Sequence, residues 1–258
     1  TRPFKTEPFV AVPWERADLD SIVSRPFGIY LHVPFCTSRC GYCDFNTYAL
    51  RTFPPGPAGD PIAHWAEQLT KELRLGAQIL TDHNITPPAA NTVFFGGGTP
   101  SLLGRQLPKI LDVVRECFGI APGAEITSEA NPESTSPELF DCWRAGGVNR
   151  LSLGMQSSEP RVLALLGRQH DPARAVAAIE EAQAAGFEHL NLDLIYGTPG
   201  ETTDDVARSV DTVLATGVDH VSAYALTIEP GTALFRKVAH GEIDPIDDDM
   251  QACLLYTS

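Results

Sequence analysis

His189-Leu190-Asn191-Leu192-Asp193-Leu194-Ile195 alternates so that three leucines point one way while Asn191 and Asp193 point the other. The same two-residue period separates Leu151, Leu153 and Met155 from Ser152 and Gln156 in Arg150–Met155 and the residue after it. In Glu125–Ala130, extended to Asn131, it sets Ile126, Ser128 and Ala130 against Thr127, Glu129 and Asn131. In Gly28–Val33 it sets Ile29, Leu31 and Val33 against Tyr30 and His32. Runs at Asn91–Phe95 and His220–Ala225 complete six β-rich segments. Strands of a doubly wound sheet are covered on both faces and should be apolar on both. One repeatedly polar face fits a curved sheet better, with helices outside and a polar ligand inside.

Between these runs the chain reads as helix. Asp60-Pro61, Ser136-Pro137 and Asp171-Pro172 each place a capping side chain before a proline at the first helical position. Gly119, Gly186 and Gly217 supply stops. Leu107, Ile110, Leu111, Val114 and Phe118 form the apolar stripe of a helix lying on a sheet, and Ile62, Trp65, Leu69 and Leu73 form another. Alternating strands and helices mean parallel βαβ units, so the expected fold is α/β, an incomplete (β/α)6 barrel. Its core is expected over residues 25–240, after an irregular, proline-interrupted extension over 1–24. Residues 241–258 are expected to begin a truncated C-terminal region.

The 258 residues carry a formal charge of −14, which disfavours nucleic-acid phosphate as a partner. No run approaches the roughly 20 apolar residues of a membrane span, and the N-terminus lacks the apolar core of a secretory signal. The expected location is cytoplasmic, where the six cysteines are better metal ligands than disulfide partners. Cys36, Cys40 and Cys43 stand in a C-x3-C-x2-C array directly after the first strand. Three thiolates can hold three irons of a [4Fe–4S] cluster and leave the fourth open, whereas a closed cluster normally takes four cysteines. A structural zinc with His32 as fourth ligand is the alternative. Cys117 and Cys142, each among apolar neighbours on a helix, read as core. Asp247-Asp248-Asp249 reads as a solvated helix start.

The array, with Tyr42 before the third cysteine, resembles the radical S-adenosylmethionine (SAM) superfamily. Tyr30-Leu-His-Val-Pro-Phe-Cys36, Gly96-Gly-Gly-Thr-Pro-Ser101, Glu129-Ala-Asn-Pro132, Gly154-Met-Gln156, Leu166-Gly-Arg-Gln-His170 and Asp193-Leu-Ile-Tyr-Gly-Thr-Pro199 resemble its oxygen-independent coproporphyrinogen III oxidase group. Cys43-Asp44-Phe45-Asn46 is similar to the haem-chaperone branch of that group, because the oxidase proper carries a further cysteine where Phe45 stands. The resemblance implies that a reduced cluster donates one electron to the SAM sulfonium, releasing methionine and a 5′-deoxyadenosyl radical. It implies a cluster on Cys36, Cys40 and Cys43. It implies SAM contacts from Tyr30, Tyr42, Gly97, Gly98, Thr99, Glu129, Gln156, Arg168, Asp193 and Thr227. A P-loop is excluded at the glycine run because no Gly-Lys-Ser/Thr follows.

The leading expectation is therefore a haem-chaperone-like protein that binds a [4Fe–4S] cluster, SAM and haem. Its partners would be an electron donor and a haem-acceptor protein, which the resemblance allows to be membrane-associated. The alternative is an oxygen-independent coproporphyrinogen III oxidase, decarboxylating propionate side chains. Radical modification of RNA or protein is disfavoured by the charge. The family continues beyond this length, and Cys253–Ser258 departs from its pattern, so the chain is expected to be a fragment whose last residues are non-native. Such a fragment should expose apolar surface.

Overall fold

The computed structural model describes residues 23, 25–53 and 60–257. The expected extension over 1–24 falls outside the described residues except for Val23, and the Pro/Gly-rich loop at 54–59 falls outside them too. In chain order the elements are β1 (Gly28–Val33), β2 (Phe35–Cys36), β3 (Tyr48–Ala49), α1 (Pro61–Asp82), β4 (Ala90–Gly97), α2 (Gln106–Phe118) and β5 (Ile120–Ala130). There follow α3 (Pro137–Gly146), β6 (Arg150–Gln156), α4 (Pro160–Leu166), α5 (Pro172–Ala184), β7 (His189–Tyr196), α6 (Thr203–Ala215), β8 (His220–Ala225), α7 (Ala233–Ala239) and α8 (Asp248–Thr257). Short 3-10 turns join several of them.

Six strands form one wholly parallel sheet in the order β1-β4-β5-β6-β7-β8. Each strand beside its sequential neighbour is the winding of a barrel, and β1 and β8 stay unpaired with each other, so the barrel is open. The outward-facing side chains make the core against the helices. Leu31, Val93, Phe95, Leu151, Leu153, Leu190 and Leu192 pack with Leu107, Leu111, Val114, Phe140 and Trp143, all essentially buried. On β5, β6 and β7 the inward-facing residues are mostly polar, while on β4 Phe94 faces inward.

The helix starts follow from their caps. The Asp60 carboxylate accepts from Ile62 N–H at 2.9 Å, the Ser136 hydroxyl from Leu139 N–H at 3.3 Å, and the Asp171 carboxylate from Ala173 N–H at 2.8 Å. In α6, Thr202 and Asp205 cap each other's backbone reciprocally. The expected strand β5 begins at Ile120 rather than Glu125, because a bulge at Gly123 (φ 75°) carries the chain from its pairing at Ala90 to that at Thr92. Cys117 and Cys142 are half-buried rather than core, since each sits on the flank of its helix stripe. Asp247 caps α8 by accepting from Met250 N–H at 2.7 Å, and the helix seats Leu254 fully buried against the barrel. Among the described residues, no helix is long and apolar enough to cross a membrane.

Candidate functional site

The carboxyl ends of the strands open into a cleft of about 520 Å3 on the concave face. β2 and β3 pair in parallel, Phe35 with Tyr48 and Cys36 with Ala49, and so pin both ends of the cysteine loop beside the sheet. Gly41 N–H donates to Leu166 O at 2.9 Å and Gly41 O accepts from Leu234 N–H at 2.8 Å, which ties the loop's middle to α4 and α7. Cys36, Cys40 and Cys43 consequently line one cleft. Burial pushes the Cys36 thiol up, so a thiolate there calls for a cation to hold it.

The Gly97-Gly98-Thr99 turn packs directly against β2 and the first cysteine. Gly97 N–H donates to the Glu129 carboxylate at 3.0 Å, Gly98 N–H to Val33 O at 2.7 Å and Thr99 N–H to Phe35 O at 2.7 Å. Its N–H groups are thus spent, and what the turn can offer a ligand is carbonyl oxygen, the partner an ammonium needs. A Cβ on Gly98 would lie 2.4 Å from Phe35 O, so only glycine lets β2 approach this turn. Gly97 has φ 109° and a Cβ there would meet the His32 ring at 2.5 Å.

Glu129 and Asp193 lie part-buried on the wall, with no ion-pair partner among the described residues. Burial first, opposed by the Gly97 N–H and aided by Asp193, pushes the Glu129 carboxyl up to about 7. Asp193 is also raised, chiefly by burial, although Asn191 donates to it at 2.7 Å and Ser152 at 3.2 Å. Two raised carboxylates held in no ion pair favour a positively charged ligand. Arg168 supplies the reverse polarity: it donates to Asn131 at 3.0 Å, to Gly154 O at 2.9 Å and to the Cys40 sulfur at 3.6 Å, and its Nε is buried without a partner. A ligand carboxylate would satisfy that nitrogen. Gln156 reaches the cleft from a left-handed backbone (φ 70°), at the irregularity where β6 shifts register on β7.

Of the residues expected at the site, the three cysteines, Tyr42, Gly97, Gly98, Thr99, Glu129, Gln156, Arg168, Asp193 and Thr227 all line the cleft. Tyr30 does not. Its hydroxyl is 3.0 Å from His32 Nδ1 and its ring stacks on Phe94, which holds it at the barrel's edge. His32 Nε2 donates to Asn46 O at 3.0 Å, so Nδ1 accepts from Tyr30 and neither ring nitrogen is left for the zinc alternative. Among the described residues, no three His, Cys, Asp or Glu side chains close on a single ion; the irons of a cluster spread their ligands wider. Ser152, Asn191 and Ser222 also line the cleft, and the strand alternation had already put the first two on the inner face.

The donor set fits both groups that the fold suggests, a three-cysteine cluster and a zwitterionic, sulfonium-bearing ligand beside it. A family model described as "Radical SAM superfamily" matches residues 30–213. A Mycobacterium tuberculosis (strain H37Rv) protein called "Heme chaperone HemW" is 54% identical over 245 residues, covering 95% of this chain and 60% of the relative. The protein of the same name from Escherichia coli (strain K12) is 36% identical over 210 residues, covering 80% of this chain and 52% of the relative. The chain thus spans between half and two thirds of the length of these relatives. Among solved structures, coproporphyrinogen III oxidase (HemN) from Escherichia coli superposes with a TM-score of 0.79 at 27% identity, covering 94% of this chain and 54% of that one.

Proposed function

Because the chain belongs to the radical SAM superfamily, we propose that it is the barrel of a haem chaperone: it binds a [4Fe–4S] cluster, SAM and haem, and passes haem to an acceptor protein. The observation that carries the proposal is a single cleft joining three cysteines to a wall of raised carboxylates that no ion pair neutralises among the described residues. The cluster, when bound, supplies one electron to the sulfonium of its neighbour.

The chain's own part is binding and orientation. Cys36, Cys40 and Cys43 hold the iron. Carbonyls of the Gly97-Gly98-Thr99 turn and the Glu129 carboxylate receive the ammonium, and Arg168 faces the carboxylate. Asp193, fixed by Asn191 and Ser152, accepts from ribose hydroxyls. An electron donor is implied, and a haem acceptor follows from the chaperone role. The relatives named haem chaperones support the haem reading, as does Phe45 where the oxidase group has a further cysteine.

The likeness to coproporphyrinogen III oxidase favours a second reading, oxidative decarboxylation of propionates. One experiment separates them. Protein reconstituted with iron and sulfide under anaerobic conditions is titrated with haem, then incubated with coproporphyrinogen, SAM and reductant. Saturable haem binding with no change in the porphyrinogen is expected; formation of protoporphyrinogen would overturn the chaperone reading.

A further inference from the structure

At the amino-terminal end of the concave face, the register sets Tyr30, Phe94, Thr127 and Arg150 side by side on four neighbouring strands. Phe94 and Arg150 line the cleft in the row beneath Glu129 and Ser152. The Tyr30 and Phe94 rings stack, 6.1 Å apart and inclined by 24°. Tyr30 lies on β1, an edge strand among the described residues, and is 57% exposed although it belongs to the inner face, so this end of the cleft reaches solvent. Thr127 is spent on Glu125, to which its hydroxyl donates at 2.7 Å.

Arg150 is different. Its guanidinium makes no hydrogen bond and no ion pair among the described residues, and it acts on Asp193 only at a distance. Two arginines line the cleft, and the other, Arg168, is engaged by Asn131, Gly154 and Cys40. An unspent cation at the foot of an acid-lined cleft is a carboxylate site, because a guanidinium binds carboxylate in a bidentate fork. The size of the cleft sets a second condition. About 520 Å3 suits one drug-sized ligand, so with SAM along the upper wall only the edge of a large planar molecule can enter. In a haem, that edge is the one that bears the propionates.

We infer that Arg150 anchors a propionate carboxylate of the haem, with the adjoining ring edge against Phe94 and the rest of the macrocycle leaving by the open edge at Tyr30. The inference rests on the haem reading above and deepens it by naming the subsite. The rival role for Arg150 is to neutralise Asp193 and Glu129 with no contact to the cargo.

The test compares iron protoporphyrin IX with its dimethyl ester, which lacks the negative charges but keeps the ring. Binding is followed by absorbance with wild-type protein, R150K and R150M. Wild type should prefer the free acid by about tenfold, the worth of one charge-assisted contact. R150M should lose that preference, and R150K should keep part of it. Equal binding of acid and ester by wild type would overturn the inference, and so would an undiminished preference in R150M. Should wild type bind neither compound, the haem reading itself falls, which is a different outcome from losing the subsite alone.

Discussion

At Glu129 the electrostatics make a pH-dependent claim. A carboxyl raised from 4.5 to about 7 in the folded protein holds its proton where the unfolded chain has lost it. The folded state therefore loses stability as pH rises from about 4.5 to 7, and carries the full cost above that. Glu129→Gln should thus stabilise the ligand-free protein at pH 8, by about 1–2 kcal/mol after allowing for the partial exposure of the site. The gain should shrink towards pH 5, as thermal melts at the two pH values would reveal. Cationic SAM should bind the reconstituted wild type more tightly as pH rises through 7, and this rise should vanish in the variant. A flat pH profile in wild type would contradict the assignment.

Gln156 tests backbone strain in the same way. Its left-handed φ of 70° is a conformation that costs a non-glycine residue about 1 kcal/mol. Gln156→Gly should accordingly melt above Gln156→Ala, whereas in an ordinary strand alanine would win. The Gly154-Met-Gln156 motif marked the residue as a ligand contact. The strain was not legible, because a positive φ at glutamine has no signature in side-chain pattern.

Elements were the most readable level. Alternation in four runs and β-rich composition in the other two located all six barrel strands, and the caps at Asp60, Ser136 and Asp171 are the ones the helices use. The β2–β3 pairing escaped the sequence because two residues per strand carry no period. Yet that pairing and the glycine turn hold the cysteine loop in place. Gly98→Ala would put a methyl 2.4 Å from Phe35 O and force β2 away from the turn. It should lower the iron retained per chain after reconstitution and desalting while far-ultraviolet circular dichroism stays unchanged. Full iron retention would show that the close approach is dispensable. On α6, buried Asp205 caps the helix and is bridged by Arg161 and Arg208. Asp205→Ala removes one half of the capping box, takes the acidic partner from Arg161 and leaves Arg208 to Glu159 alone; a loss of about 2 kcal/mol in urea denaturation is expected.

At the scale of the whole molecule, the described residues of the open barrel leave the β8 flank uncovered. Among the described residues β8 is an edge strand paired only with β7, with Val221 and Tyr224 exposed, and Leu214 on α6 is 67% exposed. Exposed edge strands template association, and a lysine on the edge suppresses it. Sedimentation velocity should show concentration-dependent self-association that Val221→Lys reduces; identical profiles for the two proteins would count against a sticky edge. The charge of −14 does not oppose the acidic cleft but matches it, since buried carboxylates there await a cationic ligand.

The account depends most on three sulfurs holding iron with one corner left for SAM. Anaerobic reconstitution followed by metal analysis and electron paramagnetic resonance after dithionite tests this directly. About four irons per chain are expected, with a reduced-cluster signal that shifts when SAM is added and disappears in Cys40→Ala. Stoichiometric zinc, or a reduced signal indifferent to SAM, would contradict it.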